Sequence, residues 1–141
     1  MTSKVKNALT IDVEDYFQVT NFASFVDRES WDSFPSRVEK NTSSLLSIFA
    51  RYHVKATFFI LGWVAERYPD LIKQIHQEGH EIACHGYGHQ LVYDLDEKEF
   101  QNDIRKAKQI LEDICEVIRS ASNRVRTHQT ILELWSGVKS P

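Results

Sequence analysis

Two clusters in the chain have residue types and spacing suited to chemistry. "HGYGHQ", residues 85 to 90, sets His85 and His89 four positions apart around two glycines and a tyrosine. About 70 residues earlier, "LTIDVEDYFQ" gathers Asp12, Glu14 and Asp15 within four positions. Two neutral imidazoles and one carboxylate, with a further position left to water, are a common way to hold a catalytic divalent ion. Gly86 and Gly88 let the backbone bend sharply, so both rings can face one point. The zinc-protease helix motif is excluded, because position 86 is glycine where that motif needs a glutamate base. The alternative is an ordinary polar loop, with "DVED" acting as a helix N-cap or a salt-bridged loop start. Acids buried at a strand end are costly unless paired or bound to metal, which favours the metal site.

These residues need elements to bring them together. "NALTIDV" is apolar, β-branched and ends in acids, the pattern of a buried strand with Asp12 at its C-terminal tip. Residues 16 to 36 are rich in aromatics without a clean period and read as a loop with short helical turns. Val38, Leu45, Phe49 and Tyr52 fall at helical spacing, predicting a helix from Arg37 to about Tyr52. "KATFFILG" reads as a second strand, buried on both faces. "WVAERYPDLIKQIHQEGH" reads as helix, with Pro69 in a first turn and Gly79 as its stop. "HEIAC" is a third strand. Asp96 and Glu99 form a capping box that opens a long helix, whose face runs through Phe100, Ile104, Ala107, Leu111, Ile114 and Ile118.

Strands alternating with helices predict a parallel α/β sheet or barrel, whose catalytic end is the C-terminal edge of the strands. Asp12 and His85 both fall there. Tips two strands apart are separated by roughly 10 Å, near enough for side chains to converge on one ion. The remaining histidines and aromatics have blander roles. His53, His76 and His128 read as surface residues and His80 as structural. Trp63 and the Phe58–Phe59 pair read as core, Cys84 as a small buried residue, and the charges of the long helix as its solvated face.

Composition bounds the function. The chain has 141 residues, 42% hydrophobic and 26% charged, which fits one globular domain. A net charge of −3 gives no basic field for nucleic acid or an anionic membrane. "MTSKVKNALTID" has no signal-like apolar region and no run reaches membrane-spanning length, so a cytoplasmic protein is expected. Cys84 and Cys115 lack a framework spacing and are expected to be free thiols.

Taken together, "LTIDVEDYFQV", "VKATFFILGWVAERYPDLIKQIHQEGHEIACHGYGHQLVYDL" and the capped helix resemble the polysaccharide deacetylases of the NodB-homology type. Within that family they resemble most the branch linked to exosortase-type exopolysaccharide loci. The resemblance covers roughly residues 6 to 116 and implies a distorted (β/α) barrel that hydrolyses N-acetyl groups on amino-sugar polymers. It also implies Asp12 as catalytic base and His85 and His89 as ligands of a divalent metal, often zinc, with cobalt or another transition metal able to substitute. The ligand acid is Glu14 or Asp15. Glu14 is preferred, because a one-residue gap returns it to the side of the strand that carries Asp12.

The sequence departs from the family after Glu116. No Arg-x-Pro-aromatic segment and no later Leu-x-His follow, and full barrels are about twice as long. The expectation is a partial deacetylase domain over residues 1–116, the N-terminal portion of the barrel. An atypical tail follows over 117–141, as a truncated or frameshifted product would have. Two readings result: an enzyme acting on an N-acetylated polysaccharide, or a remnant that binds metal, glycan or a partner without turnover.

Overall fold

The computed structural model describes residues 7–116. The chain runs β1 (Thr10–Val13), α1 (Val38–Arg51), β2 (Thr57–Ile60), α2 (Gly62–Arg67), α3 (Pro69–Gln77), β3 (Glu81–Cys84) and α4 (Glu97–Glu116). The strands form one parallel sheet in the order β1-β2-β3. Parallel pairing follows from the connections, since neighbouring strands are joined through helices rather than hairpins. Ile118, His128 and the rest of the 117–141 tail lie outside the described residues. No helix among the described residues is long and apolar enough to cross a membrane.

Strand register sorts the side chains onto two faces. Val13, Ile60 and Cys84 are in register, as are Ile11, Phe58 and Ile82. This face joins Leu46 and Phe49 of α1, Ile72 and Ile75 of α3, and Ala107 and Leu111 of α4 in one core. Phe58, Ile60 and Leu46 are fully buried there, each worth about 1.5–3 kcal/mol relative to exposure. Asp12, Phe59 and Ala83 are in register on the opposite face. There Asp12 is exposed and Phe59 half-buried. β2 is therefore not buried on both faces as expected, because the described helices pack against the first face.

Residues 16–36 hold three short 3₁₀ segments, Tyr16–Gln18, Thr20–Phe22 and Arg28–Ser33. Phe17, Trp31 and Phe34 meet Trp63 of α2 in a cluster whose paired ring centroids lie 5.4 to 6.2 Å apart. Arg67 stacks over Trp63 at 3.8 Å and binds Asp32 at 2.7 Å. The segment is thus stapled to the body of the fold through aromatic contact.

The helix predicted from Trp63 onward is two helices. Tyr68, at φ −125° and ψ 56°, breaks it, and Pro69 opens α3 as its first residue. The proline ring disfavours helical backbone at the preceding residue and supplies no N–H. The capping box of α4 forms as expected: Glu99 N–H donates to Asp96 at 2.8 Å, and Asp96 N–H to Glu99 at 2.9 Å.

Asp15 does not join Glu14, His85 and His89, the three groups placed to share an ion. Its carboxylate is buried and accepts from the Ser36 hydroxyl at 2.6 Å, Arg37 N–H at 2.9 Å and Val38 N–H at 3.2 Å. The residue at the N-cap of α1, Arg37, makes no side-chain cap. Asp15 caps the helix from across the loop, where free N–H groups and the helix dipole favour a carboxylate. Asp15→Ala should lower the unfolding free energy by about 2–3 kcal/mol, read from urea denaturation, while leaving metal uptake intact. Lost metal uptake at unchanged stability would be the opposite result.

Candidate metal centre

Glu14 and His85 are the first residues beyond β1 and β3, whose last residues Val13 and Cys84 are matched through Ile60. They therefore stand at one height above the C-terminal edge, on either side of β2. His89 returns to the same place through a tight turn. Gly86 has φ +77° and His89 has φ +52°, both left-handed, a conformation rare for a non-glycine residue such as His89. The turn brings the two imidazole centroids to 5.2 Å.

Three other elements hold this loop. Gly62 and Trp63, in the first turn of α2, donate N–H groups to the Gly86 and Tyr87 carbonyls at 2.8 and 3.2 Å. Arg28 Nε donates to the Gly88 carbonyl at 2.7 Å. Asp103 on α4 accepts from Tyr87 N–H at 2.8 Å and Gly88 N–H at 3.1 Å. Glycine at 62 is required for this approach. A Cβ there would lie 2.7 Å from Tyr87 Cδ2 and 2.9 Å from Ala107 Cα.

Glu14 Oε2 lies 3.0 Å from His89 Nε2 and 3.8 Å from His85 Nε2. It is buried yet accepts no well-directed hydrogen bond. The His89 imidazole beside it holds the Glu14 carboxyl below its usual range, against burial, which pushes it up. Glu14 in turn raises His89, against burial and the Arg28 guanidinium. Burial pushes His85 down, against the Asp12 and Glu14 carboxylates, so His85 is kept in the neutral form that a metal needs. Ligands about 2.0–2.1 Å from one zinc ion lie at most ~4.2 Å apart, and both Glu14 contacts fall within that reach. A buried acceptor without a donor, facing two imidazole nitrogens, fits a divalent cation.

Asp12 lines a cavity of about 560 Å³ with His85, His89, Phe59, Leu91 and Phe100. The structure thus brings Asp12, Glu14, His85 and His89 together and sends Asp15 to α1. His80 is buried, with Nδ1 accepting from Ala56 N–H at 3.2 Å, the structural role expected of it. Cys84 is buried, and burial pushes its thiol up.

Sequence reasoning missed Phe59, Arg28 and Asp103. Phe59 alternates with the core residues Phe58 and Ile60, a signal that it points elsewhere. Asp103 follows Phe100 by three and precedes Ala107 by four, which puts an acid at the border of the apolar face rather than in the solvated one. Nothing in the sequence marks Arg28.

Zinc uptake requires a neutral His89. In mildly acidic buffer, below the raised His89 pKa, binding should release about one proton, and affinity should climb with pH until that proton is gone. Calorimetry in buffers of different ionisation enthalpy measures the count. No proton release across that range would contradict the assignment of His89.

The chain matches a family model described as polysaccharide deacetylase over residues 29–127. That match includes His85 and His89 and begins after Asp12 and Glu14. A peptidoglycan-N-acetylglucosamine deacetylase of Bacillus cereus is 41% identical over 70 residues, covering 50% of this chain and 26% of that protein. A chitooligosaccharide deacetylase of Rhizobium leguminosarum bv. trifolii is 30% identical over 74 residues, covering 52% of this chain and 34% of its own length. The chain thus spans about a quarter to a third of these curated relatives. Among solved structures, the Bc1960 peptidoglycan N-acetylglucosamine deacetylase in complex with 4-naphthalen-1-yl-N-oxidanyl-benzamide aligns with a TM-score of 0.57 and 32% identity, over 76% of this chain and 40% of that one. The peptidoglycan deacetylase PdaC of Bacillus subtilis aligns at 0.58 and 26% identity, over 77% of this chain and 43% of that one. The parallel sheet with its helices corresponds to part of their NodB-like (β/α) barrel, and the chain belongs to the polysaccharide deacetylase family.

Proposed function

We propose that this chain carries the metal-binding and base-bearing part of a hydrolase that removes N-acetyl groups from an amino-sugar polysaccharide. The observation that carries the reading is the convergence of Glu14 with His85 and His89, the two histidines lining one cavity with Asp12. The names of the relatives, peptidoglycan and chitooligosaccharide deacetylases, support the substrate class. The Bc1960 complex bears on the metal instead: its ligand carries an N-hydroxy amide, whose two oxygens suit a metal ion. The finer substrate reading, an exopolysaccharide, rests on the resemblance of "LTIDVEDYFQV", the block from Val54 to Leu95 and the capped helix, taken together.

Zinc suits the Glu-His-His set best, and when bound it supplies a Lewis acid that polarises the acetyl carbonyl and acidifies water. The chain's own residues do the rest. Burial keeps His85 neutral, and His89 keeps Glu14 ionised, so both present free electron pairs. Asp12, exposed to the cavity, takes the proton of the attacking water. Phe59, Leu91 and Phe100 give the cavity an apolar wall against which an acetyl methyl and a sugar face can pack.

A second reading, binding without turnover, has its own support. Among the described residues lining the cavity, the titratable groups besides Asp12 and the two histidines are Cys84 and Asp103. Asp103 is engaged by the loop, and burial raises the Cys84 thiol. Neither is placed to protonate a departing amine. Acetate release from N-acetylglucosamine oligomers, with zinc or cobalt added, separates the readings. The expected result is slow turnover, about 10²–10⁴ below an enzyme with a general acid. Asp12→Asn should abolish it with metal content unchanged, while His89→Ala should lose both. Metal uptake without acetate release favours the second reading, and no metal uptake refutes the first and removes metal from what the second would bind.

A further inference from the structure

We infer that Asp103 is the positioning residue of the ligand loop: its carboxylate sets the turn between His85 and His89 in the shape that aims both imidazoles at Glu14. The inference rests on the metal reading above and goes beyond it, since Asp103 lies on α4, outside both ligand clusters. Each of its oxygens serves one amide, Oδ2 accepting from Tyr87 N–H and Oδ1 from Gly88 N–H. Two successive N–H groups aimed at one anion form a concave nest, which backbone adopts readily only with a left-handed residue beside it. Gly86, at φ +77°, is that residue.

Gly86 and Asp103 fit each other sterically as well. A Cβ at position 86 would lie 2.8 Å from Asp103 Oδ2, so any side chain there displaces the carboxylate. The loop carbonyls of Gly86, Tyr87 and Gly88 are held separately, by α2 and Arg28. Asp103 is what holds the Tyr87 and Gly88 amides. With both sets of bonds in place, the backbone joining the two histidines cannot turn over without breaking several of them. Ligating histidines depend on the groups that orient them, and loss of such a group costs about 10–100-fold in metal affinity.

The test is cobalt(II) titration of the full chain, read by visible absorption, for the unmodified protein, Asp103→Asn and Leu111→Ala. Asparagine keeps one acceptor oxygen but sets an NH₂ against an N–H. Leu111 is a fully buried core residue on the same helix, so its truncation destabilises the fold without touching the loop. Metal-free melting curves then match the two variants for stability, and titrations are made below both transitions. The expected result is about 10–100-fold weaker cobalt binding and an altered ligand-field spectrum for Asp103→Asn, with Leu111→Ala close to the unmodified chain. If Asp103→Asn binds as tightly as the unmodified chain, or loses no more than Leu111→Ala, the inference is overturned and the metal reading stands. If the unmodified chain takes up no cobalt, the metal reading falls and the inference with it.

Discussion

Glu14 Oε2 faces two imidazole nitrogens at 3.0 and 3.8 Å and accepts a well-directed hydrogen bond from neither. Three electron-pair donors turned toward one space favour a cation there and oppose each other without one. Attraction between the His89 imidazole and the Glu14 carboxylate relieves part of that opposition, holding the carboxyl below its usual range and raising His89. The rest of the described fold can be understood as the framework that keeps these donors converged. Parallel register sets Glu14 and His85 at one height, and β2 between them fixes their separation.

That framework divides its labour between the two faces of the sheet. The helix-covered face is apolar and fully buried at Phe58 and Ile60, and it supplies the cohesion. The other face carries Asp12 and Phe59 and opens on the cavity. The adjacent acids at the end of β1 divide in the same way. Glu14 turns to the histidines, and Asp15, one residue on, turns to the start of α1. Of the two readings of "DVED", the helix cap is taken by Asp15, which leaves Glu14 as the acid that faces the histidines. The same short stretch anchors a helix and turns a carboxylate to the imidazoles, so the position of Glu14 is braced by the cap next to it.

What could be read in the sequence was whatever depends on local pattern. Apolar runs and helical spacing located the strands and α4, and the one-residue gap between Asp12 and Glu14 anticipated which acid faces the histidines. The Tyr68–Pro69 break was legible in principle, because proline constrains the residue before it. Asp15 was not, since its partners Ser36, Arg37 and Val38 come more than 20 residues later and meet it only through the fold. Asp103 looked like any helix charge, because its role depends on a loop folding back onto α4. Phe59 looked like core because an apolar run does not reveal whether both faces of its strand are covered.

The central claim, that Glu14, His85 and His89 hold one divalent ion, is tested most directly by X-ray absorption on the zinc-loaded chain. The expected result is nitrogen and oxygen at about 2.0–2.1 Å from the zinc, with the more distant scattering signature of two imidazoles and no sulfur. A sulfur scatterer at about 2.3 Å, placing Cys84 on the zinc, or a single imidazole would contradict it.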